Sequence, residues 1–386
     1  MGSDLTCPDC GAAYAAGPDE PWRCDCGGPL EFADRPLPDD PTALELEPGR
    51  GLWNFAPWLP IDERVSLGEG FTPLVDAPEW DATFKLEYVF PTGSFKDRGA
   101  TTTLSRAAEL GVERVLEDSS GNAGAAIATY AARAGIDAEI YVPADVKAAK
   151  LGAIERTGAR PVRIEGSRQD VTDACIEAVE GGSEDGRDGR GDAGADVATR
   201  QPGDGWYASH AWNPAFYAGT MTFALEIAAQ RDWTAPDAVV LPVGHGTLFL
   251  GAYRGFSLLL EAGIIDELPR LLAAQEAGYA PVANRFGETV AAEPGHTESV
   301  ADGIQIVEPA RLDEILEAIE RTDGDAIALE PATIEDALER LHRSGFYVEP
   351  TCAVAPAALE RYREDGVLDA GADVVVPLTG SGLKIE

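Results

Sequence analysis

The sequence predicts an α/β fold, with open, mostly parallel sheets clad in helices and a small cysteine-built ribbon in front. Three observations carry this. Beyond about residue 105, short apolar strands alternate with helical patterns, the mark of a parallel sheet. Two strands, ending near Leu116 and Pro242, run into glycine-containing turns that open directly into helices, where open α/β sheets bind ligands. Four of the six cysteines fall in two tight pairs near the amino end.

The 386 residues suffice for two or three domains, and 45% hydrophobic content indicates a globular chain. A formal net charge of -37 argues against nucleic acid or anionic membrane as a partner. The acids are spread along the chain, and lysine occurs only at Lys85, Lys96, Lys147, Lys150 and Lys384. Such a composition describes a heavily hydrated surface of the kind found in salt-loving organisms. No apolar run is long enough to span a bilayer, and the first twenty residues lack the pattern of a secretion signal, so the cytoplasm is the expected location.

In chain order, residues 1–35 form the ribbon. Cys7, Cys10, Cys24 and Cys26, each pair followed closely by glycine, can set four sulfurs around Zn²⁺ in a closed, structural site. Two disulfides would use the same residues, but an intracellular chain disfavours them. Residues 36–60 read as a linker, rich in proline and acid to Gly51, then apolar at Trp53, Phe55, Trp58 and Leu59, a cluster expected to pack on the next domain. Gly68 to Leu74 is a loop leading into a short strand. Pro91 and Gly93 then form a turn before Lys96, with a helix-compatible run over Ala100 to Leu110. A lysine amine can lose its proton and attack a carbonyl, chemistry that arginine cannot do.

Strands are expected at Val115-Leu116, Ala138–Val142 and Pro161–Ile164, with helices over Ala144–Thr157 and Gln169–Val179. Between the first strand and an alanine-rich helix lies Ser119-Ser120-Gly121-Asn122-Ala123-Gly124. Its amides and hydroxyls suit a carboxylate, though an ordinary capped turn reads the same way. Residues 181–205, almost without large apolar side chains, read as a surface insertion. The strand Ala238–Pro242 ends in Val243-Gly244-His245-Gly246-Thr247-Leu248, whose backbone can cradle a phosphate. A dinucleotide site is disfavoured because the full Gly-x-Gly-x-x-Gly spacing is missing. His245 could instead serve as a base.

The run Pro91-Thr92-Gly93-Ser94-Phe95-Lys96-Asp97-Arg98-Gly99 resembles the cofactor-lysine motif of fold-type II pyridoxal-phosphate enzymes, and its wording is nearest to threonine synthases. Gly68-Glu69-Gly70-Phe71-Thr72-Pro73-Leu74, Glu349-Pro350-Thr351 and Leu378-Thr379-Gly380-Ser381-Gly382-Leu383-Lys384 resemble further segments of that family in the same order, as does Thr297 to Gly303. The resemblance implies two open α/β domains: a large cofactor-binding one from 61–104 and 206–386, and a smaller one, 105–205, carrying the asparagine loop. It implies pyridoxal 5'-phosphate on Lys96, Asn122 at the phenolic oxygen, Gly244 to Leu248 around the phosphate and Thr379 at the ring nitrogen. Ser119, Ser120, Gly121 and Ala123 would hold the carboxylate of an amino acid substrate. It also implies a homodimer, a structural zinc module, and conversion of O-phosphohomoserine and water to threonine and phosphate.

Departures are Phe90 before the proline, and His245 and Thr247 in the phosphate turn. More telling, the family's phosphate-holding arginine and the lysine after it are Phe216 and Met221 here. Arg98, Arg133 and His210 are possible replacements. A serine or threonine ammonia-lyase, whose substrate carries no phosphate, is therefore the alternative. A non-catalytic amino-acid-binding relative is a third reading, against which the retention of Lys96, Asn122 and Thr379 together speaks.

Overall fold

A computed structural model of the chain describes residues 2–40, 42, 44–181, 205–286 and 299–384. Almost all of the expected insertion at 181–205 lies outside the described residues, as do Thr297 and Glu298.

The ribbon is three short antiparallel strands, β1 (Leu5–Thr6), β2 (Ala13–Tyr14) and β3 (Glu31–Phe32), in the order β2-β1-β3. A 3-10 helix over Pro48–Trp58 follows. Trp53, Phe55 and Trp58 have no exposed surface and join the main hydrophobic core, so the second half of the expected linker is core.

The body then runs β4 (Leu74–Ala77), β5 (Ala82–Lys85), α1 (Lys96–Leu110), β6 (Arg114–Glu117), α2 (Asn122–Ala134), β7 (Asp137–Pro143), α3 (Ala148–Glu155), β8 (Arg160–Ile164) and α4 (Arg168–Glu180). Beyond the insertion come β9 (Trp206–Tyr207), α5 (Pro214–Gln230), β10 (Ala238–Pro242), α6 (Thr247–Glu261), β11 (Arg270–Glu276) and α7 (Pro281–Phe286). The last elements are α8 (Leu312–Arg321), β12 (Asp325–Leu329), α9 (Pro331–Arg343), α10 (Pro350–Glu364) and β13 (Val374–Pro377).

Two sheets organise these elements. The larger has the order β12-β11-β10-β13-β5-β4, parallel except for β4, which hairpins back onto β5. The smaller, β8-β7-β6-β9, is wholly parallel. Because β9 pairs with β6, the smaller sheet reaches past residue 205, where the large domain was expected to resume.

Helix α5 is buried along nearly its whole length, and its even hydrophobicity suits a helix packed on all sides. It crosses α1 closely at Gly219, where a Cβ would lie 1.9 Å from the Arg98 carbonyl oxygen. A buried ion network fastens the same crossing. Arg98 on α1 donates to Glu87 at 2.7 Å and to Glu226 on α5 at 2.9 Å, and Lys85 on β5 meets Glu226 at 2.5 Å. Thr72 closes the network, its hydroxyl donating to Glu87 at 2.6 Å and its amide to Glu226 at 2.6 Å.

Candidate active site

Lys96 is the first residue of α1, so the helix begins four residues earlier than the apolar pattern suggests. Asp97 makes that start possible. Its carboxylate accepts the Thr92 amide at 2.9 Å and the Thr92 hydroxyl, which pins the Pro91–Ser94 turn against the helix. Burial raises the Asp97 carboxyl to about 7.

The turn is tied to the far end of the sheet as well. Phe95 N–H donates to the Thr379 carbonyl at 3.0 Å, and Ser94 bridges to Gly380. Thr379 therefore reaches the lysine turn as an extension of β13, with its hydroxyl 3.5 Å from Cys352 Sγ. Lys96 Nζ points at the opposite wall and donates to Thr247 Oγ1 at 3.0 Å. The surrounding protein atoms lower its ammonium to about 8, a fall that the Glu117 and Glu349 carboxylates oppose.

Thr247 opens α6 directly after the glycine turn. Gly246 has a φ of 74°, and a Cβ there would lie 2.4 Å from Ile315 Cδ1, so glycine is required twice over. No side chain caps α6, which leaves its first amides facing the cleft. His245 Nδ1 is buried without a hydrogen-bond partner among the described residues. Uncapped amides, the hydroxyl of Thr247 and an orphaned imidazole nitrogen form a cradle suited to phosphate oxygens.

The asparagine turn leaves β6 and opens α2 at Asn122. Gly121 N–H donates to Ser119 Oγ at 3.3 Å, Ser120 stays partly exposed, and Ala123 turns into the core. Asn122 donates to both Glu349 oxygens at 2.9 and 3.1 Å, and accepts from Lys384 Nζ at 2.6 Å. Burial raises the Glu349 carboxyl and lowers the Lys384 ammonium. Glu349 and Lys384 both stood in segments that the sequence singled out, yet neither had been named as a site residue. Glu117 was missed altogether. The available signal was an acidic residue ending an apolar strand immediately before a ligand-type turn.

Of the three possible phosphate clamps, Arg98 is excluded, since it is consumed by Glu87 and Glu226. Arg133 is exposed and donates to the Ser66 carbonyl. His210 does stand at the cleft, but its Nδ1 is bonded to Glu117 Oε1 at 2.7 Å. Phe216 is fully buried, with Lys96 Nζ 5.7 Å from its ring centroid. Met221 lines a cavity of about 960 Å³ under the ribbon, together with Trp58 and Tyr217.

In the ribbon, Cys7 Sγ lies 3.6 Å from Cys26 Sγ and Cys10 Sγ 3.4 Å from Cys24 Sγ, and none of these cysteines is in a disulfide. Four thiolates about 2.3 Å from one zinc would sit about 3.8 Å apart, close to this arrangement.

A family model described as pyridoxal-phosphate dependent enzyme matches residues 65–380. The chain belongs to that family. It is 31% identical over 396 residues to threonine synthase from Methanocaldococcus jannaschii, covering 98% of this chain and 92% of that enzyme. Threonine synthase from Mycobacterium bovis is 34% identical over 335 residues, covering 85% of this chain and 84% of the other. Among solved structures, maize serine racemase superposes with a TM-score of 0.65 over 81% of this chain and 88% of that one, at 20% identity. The chain is thus a threonine synthase-like member of the pyridoxal-phosphate dependent enzymes.

The residues present fit the cofactor. A lysine amine near neutrality faces a glycine turn with uncapped amides and an orphaned buried nitrogen.

Proposed function

We propose that the chain converts O-phosphohomoserine and water to threonine and phosphate by elimination at Cγ and replacement at Cβ. The observation that carries this is the meeting of Lys96 and Thr247 at the uncapped start of α6, within a chain so similar to threonine synthases. Lys96 would hold the cofactor covalently, Gly244, His245, Gly246, Thr247 and Leu248 would hold its phosphate, and Asn122 and Thr379 would serve its ring. When bound, pyridoxal phosphate withdraws electrons from the substrate's Cα and so acidifies the Cα–H bond.

The chain's own groups do the rest. The amides and hydroxyls from Ser119 to Ala123 receive the substrate carboxylate and orient Cα–H towards Lys96 Nζ. Lys96, as the free amine, would take that proton. Its lowered pKa makes the neutral, proton-accepting form accessible near neutral pH. Phe95 and Phe216 flank the amine and keep water from it.

A second reading is favoured by Phe216 itself. The cleft beside Lys96 offers an aromatic ring, the buried side chain of Glu117 and the half-buried side chain of Glu349 where a phosphorylated side chain would want a cation. An ammonia-lyase acting on serine or threonine would need no such clamp. Assays of the cofactor-loaded enzyme in high salt separate the two. Phosphate and threonine from O-phosphohomoserine establish the first. Ammonia and 2-oxoacid from serine or threonine, with O-phosphohomoserine inert, establish the second.

We also propose that Cys7, Cys10, Cys24 and Cys26 bind one structural zinc. Metal analysis should find about one zinc per chain, and Cys10→Ser with Cys24→Ser should abolish it. Zinc retained in that double variant would contradict the assignment. The proposed setting is a cytoplasmic homodimer; a mass in solution of one 40.7 kDa chain would contradict the dimer.

A further inference from the structure

Glu117 and His210 form a hydrogen-bonded pair at the cleft for which the reaction as described has no use. Glu117 ends β6, and His210 lies just past β9, so the parallel pairing of these strands brings them together. His210 Nδ1 lies 2.7 Å from Glu117 Oε1, and its backbone N–H donates to Oε2 at 3.2 Å. That double contact fixes the ring through Nδ1 and leaves Nε2 as the working nitrogen.

The His210 ring lies 5.3 Å from the ring of His245 and 6.0 Å from that of Phe216, which in turn flanks Lys96. Imidazole, lysine amine and glycine turn thus stand side by side. The other charged or titratable groups near His210 are Lys96, Asp118, His245 and Arg168 of α4. Asp118 is already engaged by Tyr207 at 3.0 Å and Thr172 at 2.6 Å, which leaves Glu117 to serve the histidine. Burial raises the Glu117 carboxyl well above its ordinary value and holds His210 well below its own, so both groups are held towards their neutral forms.

We propose that His210, positioned by Glu117, is the acid–base group for the oxygen on the substrate's Cβ. Lys96 serves the Cα proton. When water adds at Cβ of the unsaturated amino acid left by loss of phosphate, an oxygen lone pair forms the new C–O bond, the Cα=Cβ π pair moves to Cα, and His210 takes the proton that the water sheds. In elimination from a hydroxy-amino acid the step runs backwards: the Cβ–O bond breaks with its electron pair on oxygen, His210 supplies a proton, and water leaves. With the Cα proton on Lys96, the substrate has lost one water overall, and no oxidant or reductant is needed. The proposal rests on the lyase reading above and holds for either of its substrates.

The test uses the cofactor-loaded full-length enzyme and two substrates. L-Serine needs a proton on its departing oxygen, whereas the chloride of β-chloro-L-alanine leaves without one. If native enzyme is inactive on serine, threonine formation from O-phosphohomoserine takes its place. His210→Gln should lower the oxygen-dependent reaction about 100-fold or more relative to chloride elimination. Glu117→Gln should shift the same ratio in the same direction, by less. Exchange of the substrate Cα proton with deuterated water, followed by NMR, should persist in both, with cofactor absorbance as the folding control. An unchanged ratio, or loss of Cα exchange together with both reactions, would overturn the proposal. Native enzyme inert towards all three substrates would instead overturn the lyase reading.

Discussion

Lys96 owes its reactivity to the place where α1 begins. The same amine on an exposed helix would keep its proton far above neutrality; here the enclosing atoms bring it to about 8 from 10.5. In the proposed role the neutral form would attack the cofactor, so capture would be favoured on the alkaline side. Uptake of pyridoxal phosphate by cofactor-free protein, followed by absorbance, should rise with pH through about 8 and level off above it. A midpoint near 10.5 would show that the amine is not shielded. Lys96, Asn122 and the glycine turn were legible as residues because each sits in a contiguous motif. The meeting of Asn122 with Glu349 and Lys384 was not. It joins positions 227 and 262 apart, which no local pattern records. His210 was noticed as a spare cation, but its engagement by Glu117 depends on the pairing of β6 with β9 across the insertion.

Among the elements, the crossing of α1 and α5 holds the lysine turn in register. Burial alone would raise the Glu226 carboxyl, but Arg98 and Lys85 pull it to about 2. A carboxyl lowered from 4.5 stabilises the fold above that value, and the contribution is lost as pH falls towards about 2. Glu226→Gln should cost about 3–5 kcal/mol in denaturant unfolding at neutral pH, since it leaves Arg98 and Lys85 to share Glu87. A loss below about 1 kcal/mol would mean that the network is not a fastening. Element type was read well from periodicity, and boundaries less so. The expected helix Ala144–Thr157 shortens to Ala148–Glu155 because Val146 N–H turns back to the Pro143 carbonyl. The expected helix from Ala100 lengthens to Lys96, where Asp97 in the first turn holds the preceding Thr92 turn against the helix.

At the scale of the molecule, the turn after β6 and the turn after β10 converge on the lysine turn, which is how a chain of this order builds one cleft from two sheets. Strand–helix alternation made the two sheets legible. How the ribbon docks was hidden, since it rests on long-range contacts: Glu31 accepts from Arg254 at 2.7 Å and also from Arg311, while both guanidiniums lie over the Tyr217 ring at 4.7 and 4.5 Å. The central claim is that one lysine of five carries the cofactor. Loading the native enzyme with pyridoxal phosphate, reducing with borohydride and mapping the adduct by mass spectrometry tests it directly. The account predicts a single adduct on the peptide containing Lys96 and none in Lys96→Ala; an adduct on Lys384 or another lysine, or no adduct in the native enzyme, would contradict it.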